Sequence, residues 1–238
     1  MISFVVPAWN EEANLPRTLR SIHAAARASG EPYEIVVADD ASDDRTGEVA
    51  ASLGARVVRV AHRQIAATRN SGAREARGEI LVFVDADTTI DTEVLRGALD
   101  ALRAGAVGGG AGVRFDGRVP AYARILTRLL VFSFRQLRLA CGCFVYCTRE
   151  AFEASGGFDE SMFGGEEVEI SRALGRQGRF VVLRTSVLSS GRKMRTHSAF
   201  EILGTLVRLG VRGKRAVRRR EGMDLWYGDR RPDPETAA

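Results

Sequence analysis

One stretch limits the folds open to this chain: residues 78–90, GEILVFVDADTTI. Ile80-Leu81-Val82-Phe83-Val84 is continuously apolar rather than alternating, so it reads as a strand buried on both faces. The run then breaks into Asp85-Ala86-Asp87. Carboxylates at the carboxyl end of such a strand stand where open α/β sheets place ligands. At a spacing of two residues in a turn, both can face one point. That set suits a hard divalent cation, Mg²⁺ or Mn²⁺, which keeps part of its water and shares substrate phosphates. The same aspartates can also cap a following helix, and the motif alone does not separate the two readings.

The flanking segments supply the sheet. Residues 2–6 are a short apolar strand, halted by Pro7 and a polar loop, Ala8-Trp9-Asn10-Glu11-Glu12. Asn14 can cap a helix whose stripe is Leu15, Leu19, Ile22 and Ala26, with Pro16 tolerated in its first turn and Gly30 as its stop. A strand over 34–38 also ends in acid, Asp39-Asp40-Ala41-Ser42-Asp43-Asp44, before a helix over 46–53. A strand over 56–60 and a helix over 64–76 lead into the central run. Strands alternating with helices predict βαβ units on a mostly parallel sheet.

Downstream, a helix is expected over 92–103, and the Gly/Ala-rich residues 104–112 allow close backbone approach or tight bending. Residues 113–115 read as a strand extension, 120–139 as an amphipathic helix studded with Arg124, Arg128, Arg135 and Arg138, and 144–147 as apolar strand. Gly156-Gly157 marks a sharp turn, 166–178 is helical, and 180–183 is a last strand. From 192 to 220, ten Lys/Arg face the single acid Glu201, with an apolar helix expected over 200–209. The proline-bearing residues 229–238 are expected to be disordered.

Composition excludes some classes. The net charge of +5 points to an anionic partner. Cys141, Cys143 and Cys147 make neither a disulfide framework nor a zinc set, and read as small apolar residues of a reducing compartment. No run of about 18 uncharged apolar residues predicts a membrane span, and the opening residues carry no signal-peptide pattern. A cytoplasmic location is expected, peripheral at the inner membrane face if the arginine-studded helix and the basic tail meet anionic headgroups. The alternative is that both pack on the domain with their arginines outward.

Taken in order, the motifs resemble the family-2-type glycosyltransferases of GT-A fold. Val5-Val6-Pro7-Ala8-Trp9-Asn10-Glu11-Glu12 is similar to the family's first block, and Asp39-Asp40-Ala41-Ser42-Asp43-Asp44-Arg45-Thr46 to its second. Arg69-Asn70-Ser71-Gly72, Ala76-Arg77-Gly78 and Asp85-Ala86-Asp87 resemble the third. Gly156-Gly157-Phe158-Asp159-Glu160 with Gly165-Glu166-Glu167 looks like the acceptor-side block. Ala41 and Arg45 replace usual glycines, and Glu167 stands where the family often has Asp.

The resemblance implies an α/β GT-A fold over residues 1–190. Residues 1–103 would form the nucleotide-sugar half and 104–190 the acceptor half. A basic helical extension follows over 191–228. It implies an inverting, metal-dependent transfer from a nucleotide-diphosphate sugar to an acceptor hydroxyl that is lipid-linked, on a glycan or on a small molecule, with a place in bacterial cell-envelope polysaccharide synthesis. Pro7, Ala8, Asn10 and Glu11 would line the base and ribose, Asp39 would accept from the base, and Asp85-Ala86 would meet ribose or sugar. Asp87 would hold the cation, with His197 a further metal ligand, and Arg69 would bring charge toward the diphosphate. Glu167, with Glu166 as the fallback, would be the general base that takes the acceptor proton. The bland alternative for the two glutamates is a charge match to a helix N-terminus. Nucleic acid is not an expected partner. One rival is a nucleotidyltransferase, which wants a basic Gly-rich loop after the first strand where this chain is acidic. The other is a non-catalytic membrane- or anion-binding module driven by the basic tail.

Overall fold

The computed structural model describes residues 1–198, 200–202, 204, 217–228, 231 and 233. Four strands carry the first half: β1 (Ile2–Ala8), β2 (Tyr33–Asp40), β3 (Arg56–Val60) and β4 (Ile80–Val84). All pair in parallel, with β1 between β2 and β4. Helices α1 (Leu15–Ser29), α2 (Thr46–Ser52) and α3 (Ile65–Glu75) connect them. The second half adds β5 (Thr88–Thr89), α4 (Thr92–Arg103), β6 (Ala106–Phe115), α5 (Ala121–Gln136) and β7 (Phe144–Thr148). It closes with α6 (Arg149–Ser155), α7 (Glu166–Gln177), β8 (Arg179–Ser189) and α8 (Arg192–Thr196). Strands from both halves join one eight-stranded sheet in the order β3-β2-β1-β4-β7-β6-β8-β5. The central β7 runs antiparallel to both β4 and β6, so the sheet is mostly parallel with an inverted strand in its middle.

The unbroken apolar runs are explained by packing on both sheet faces. Phe4 and Val6 of β1, with Val82 and Val84 of β4, join Leu15, Leu19, Leu95 and Ala98 of α1 and α4 on one side. Val5, Leu81 and Phe83 face Ala66, Ala73, Phe152, Ile170 and Leu174 of α3, α6 and α7 on the other. With alternate side chains buried on opposite faces, β4 is apolar throughout and its carboxylates come only after its end.

The Gly/Ala stretch over 104–112 is not a bend. It is the body of β6, and close approach is its purpose: a Cβ at Gly109 would collide with the Val181 carbonyl and the Tyr146 ring. Tyr146 Oη donates to that same carbonyl at 2.8 Å across the gap. The last strand is likewise longer than the apolar signal over 180–183, running to Ser189 along β6 and β5. Cys147 lies in β7, while Cys141 and Cys143 stand in the loop before it. The expected helix over 200–209 and tail over 229–238 fall for the most part outside the described residues. Among the described residues, no helix is long and apolar enough to cross a membrane.

Candidate active site

The Asp85–Asp87 turn is held at every peptide. The Thr88 N–H donates to the Asp85 carbonyl at 3.0 Å, Thr18 Oγ1 to Ala86 at 2.8 Å, and the Ser190 N–H to Asp87 at 3.0 Å. The two-residue strand β5 then pairs Thr88 with Ser189. The helix-cap reading of these aspartates does not hold. Helix α4 is capped by Asp91, whose carboxylate accepts from the Val94 N–H at 2.8 Å. Asp85 and Asp87 are left facing a cleft lined also by Pro7, Ala8, Glu11, Ala86, Glu166 and Glu167. Residues from opposite ends of the sequence thus open into one space.

Arg69 sets the charges inside it. Its side chain, on the buried face of α3, is 1% exposed. Nη1 donates to Glu166 at 2.7 Å; Nη2 donates to Asp85 at 2.7 Å and to the Gly142 carbonyl at 2.8 Å. Arg69 is therefore neither a solvated helix residue nor a cation free for a substrate. It is a buried tie between β4 and the first turn of α7, and two carboxylates hold its own pKa up against burial. One guanidinium cannot also neutralise a third acid. Glu167 follows Glu166 in the first turn of α7, and burial followed by the Glu166 charge pushes its pKa up to about 8. Glu166 is committed to an ion pair; Glu167 lines the cleft as a carboxyl ready to gain or lose a proton.

A second charge balance surrounds Asp87. Burial, then the nearby Glu11 charge, raises its pKa to about 6, and Lys193 and Arg192 oppose this. Arg192, at the start of α8, grips Glu11 with two bonds, at 2.7 and 3.3 Å. Among the described residues, the Asp87 carboxylate receives only long hydrogen bonds, from Thr88 Oγ1 at 3.4 Å and Ser189 Oγ at 3.5 Å. A half-buried carboxylate so thinly bonded, with a second acid beside it, fits a hard cation that takes one protein oxygen and fills its sphere with phosphate and water. Among the described residues, no group of three or more His, Cys, Asp or Glu is placed to hold a metal by itself.

Other expected site residues fall differently. Asn10, at φ 50°, stitches loops together, taking Asp43 N–H on its Oδ1 and giving its own N–H to Ser42 Oγ. Asp39 is buried and accepts from the Ser42 N–H at 3.2 Å; the cleft is lined by Asp40 instead. Asp40 gathers the N–H groups of His62, Arg63 and Gln64 and the Thr68 hydroxyl, which fixes the entry to α3. His197 ends α8, with Nδ1 at 3.1 Å from Thr196 Oγ1, and does not line the cleft; Lys193, one turn earlier, does. Sequence reasoning missed Lys193 and Arg192 within a generic basic run. It also missed Arg63, whose guanidinium lies 3.6 Å over the Trp9 ring at the cleft wall. The one available signal was that Arg192 and Lys193 directly follow the last strand of the sheet.

The cleft geometry can be set beside known proteins. The sequence pattern of glycosyl transferase family 2 matches residues 3–155 of this chain. The chain belongs to glycosyl transferase family 2. Within it, the chain is 36% identical over 94 residues to an undecaprenyl-phosphate 4-deoxy-4-formamido-L-arabinose transferase of Pseudomonas paraeruginosa, covering 37% of this chain and 28% of that one. It is 33% identical over 109 residues to a dolichol-phosphate mannosyltransferase of Pyrococcus furiosus, covering 44% and 30%. The matched part is thus under a third of those relatives' length. Among solved structures, the mannosyltransferase PcManGT of Pyrobaculum calidifontis, in complex with GDP-Man and Mn²⁺, superposes with a TM-score of 0.65. That match has 18% identity over 92% of this chain and 65% of the other. TarS of S. aureus with UDP-GlcNAc gives 0.63 at 19% identity, over 89% and 66%. At such identities these two establish the shared GT-A fold.

Proposed function

We propose that this family 2 chain is an inverting glycosyltransferase that moves a sugar from a nucleotide-diphosphate sugar to an acceptor hydroxyl. One observation carries the reading: Asp87, at the rim of the central sheet, and Glu167, at the start of α7, face the same cleft. The donor's nucleoside would lie along Pro7, Ala8 and the Trp9–Arg63 wall, and its diphosphate toward Asp87 and Lys193. Asp87 would hold a divalent cation, Mg²⁺ or Mn²⁺, which when bound neutralises charge on the diphosphate. The bound ligands of PcManGT and TarS are consistent with such a donor.

Glu167 takes the proton from the acceptor hydroxyl as its oxygen bonds the anomeric carbon. The bond from that carbon to the diphosphate oxygen breaks on the opposite face, so the configuration inverts and the proton ends on Glu167. Arg69 positions this step. It occupies Glu166, so that Glu167 is the carboxyl with proton affinity to spare. A hydroxyl acceptor also explains why a base is present. An alcohol must lose a proton, whereas a phosphate acceptor is already largely ionised at neutral pH. The relatives are named for undecaprenyl phosphate and dolichol phosphate, which supports trying lipid-linked acceptors; on the present reading the reacting group would be a sugar hydroxyl of such an acceptor rather than its phosphate.

The test is a melting-temperature screen of nucleotide sugars with and without Mn²⁺, since a ligand raises stability according to its affinity for the folded state. One donor class should raise the melting point only with the cation, and Asp87→Ala should abolish that increment. Glu167→Gln should keep the increment and lose transfer. Full turnover by Glu167→Gln overturns the base assignment.

A further inference from the structure

We propose that helix α5 is a docking surface for an anionic lipid bilayer, which it meets with its outer face. Tyr122, Ile125, Leu129 and Phe132 recur at steps of three, four and three, so they form one stripe. They point away from the protein: Ile125 is 58% exposed, Leu129 60% and Phe132 60%. The inner face is occupied separately. Ala123 is buried, and Val131 and Phe134 pack on the core. The helix is thus apolar on both sides, and the outer apolar side has no partner among the described residues. Soluble chains seldom leave such a contiguous patch without a use.

Charge says what covers it. Arg124 and Arg128 flank the stripe, one turn apart. With Arg114 and Arg118 they line a groove between α5 and the end of β6. Among the described residues no acidic side chain lines that groove; Asp116, nearby in sequence, is bonded to Arg17 and to Arg195. A polyanion such as nucleic acid would match Arg124 and Arg128 and leave the stripe in water. An uncharged apolar partner would do the reverse. A bilayer with anionic headgroups meets both, with the stripe entering the headgroup boundary and the guanidinium groups reaching phosphate.

The position fits the cleft as well. The chain leaves α5 at Gln136 and enters the cleft wall at Gly142 and Cys143, and the Gly142 carbonyl is a partner of Arg69. A bilayer against α5 therefore meets the helix whose following loop enters the cleft wall. The inference goes beyond the transferase reading and stands or falls separately from it.

The experiment is co-sedimentation of the full chain with phosphatidylcholine vesicles and with vesicles of phosphatidylcholine mixed with phosphatidylglycerol, at low and high salt. The wild type should sediment with the anionic vesicles and far less with the neutral ones, and high salt should weaken the binding. Arg124→Glu with Arg128→Glu should lower anionic-vesicle affinity by about twentyfold or more at low salt. Leu129→Glu with Phe132→Glu should lose binding at both salt concentrations. These side chains are exposed, so melting points should stay near wild type; should the acidic pair unfold the chain, Leu129→Ser with Phe132→Ser replaces it. Equal binding to both vesicle types overturns the proposal, as does absence of binding, or unchanged binding by both double variants. A wild-type dimer in sedimentation equilibrium that the stripe variant dissociates overturns it too, in favour of a second copy of the chain. The donor-dependent melting shift should persist in every variant, which separates failure here from failure of the transferase reading.

Discussion

Glu166 and Glu167 are adjacent in sequence and opposite in circumstance. One is locked to Arg69 at 2.7 Å, and the other carries a pKa raised to about 8 by burial and by that neighbour's charge. If Glu167 is the base, kcat/KM should rise with pH along a single ionisation near 8, because that ratio reports the free enzyme. Glu167→Gln should remove the limb along with the activity. A limb near the ordinary carboxylate value would assign the base elsewhere. Arg69→Met leaves Asp85 and Glu166 facing each other without a counter-charge. Loss of one partner from a buried ion pair costs about 3–5 kcal/mol, so chemical denaturation should show a loss of that order. Lysine cannot reach three acceptors in the same fork geometry, so Arg69→Lys should recover stability only in part.

Among the elements, β6 is where the chain tolerates least. Gly109 lies between Tyr146 and the Val181 carbonyl, and any side chain forces β7 and β8 apart. Gly109→Ala should cost about 1–3 kcal/mol or more as an overpacked site, read from the urea midpoint. Gly97 on α4 provides the contrast. A Cβ there would make ordinary contact with Leu183 at 3.5 Å, so Gly97→Ala should be neutral or stabilising. Helix α8 is short and depends on its ties rather than on its own length. Arg192→Ala removes one of the cations that oppose the raised pKa of Asp87, so that pKa should rise further. Cation affinity measured by titration calorimetry above that pKa should then rise, because the site carries one positive charge fewer to repel a divalent ion.

For the whole molecule, the raised groups give stability a particular pH dependence. Asp87 and Glu167 bind their protons more tightly in the folded state, with pKa values of about 6 and about 8 against ordinary values of 3.8 and 4.5. A carboxyl raised by folding favours the native state while protonated, so its contribution is lost as pH rises through the window between the two values. Together they predict a decline in melting temperature from about pH 4 toward pH 8. Glu167→Gln should flatten the upper part of that decline and Asp87→Asn the lower part. Glu34 and Asp116 act in the opposite sense, since hydrogen bonds and arginines hold them below the ordinary range. Their stabilisation is present above that range and is lost in acid. Saturating Mn²⁺ with a nucleotide diphosphate should remove the Asp87 part, because the site then holds the carboxylate in its charged form.

Much of this was legible in residue order, and the reason is local. A parallel strand covered on both faces stays apolar along its length and turns acidic at its end, so the run before Asp85-Ala86-Asp87 announces the sheet and where its acidic rim lies. Glu167 is reached through the resemblance to the family's acceptor-side block; helix starts collect acids in any case, so local pattern alone does not separate a base from a charge match. What the order of residues could not decide was the sharing of charge across long separations. Arg69 meets Glu166, 97 residues away, and Arg192 meets Glu11, 181 residues away. Whether an arginine serves a substrate or ties two elements depends on which carboxylates folding brings within about 3 Å of it, since ion pairs require contact and burial to matter. No short-range pattern encodes that meeting. The strands and the acids at their ends follow from local sequence; which acid keeps its proton follows from the fold alone.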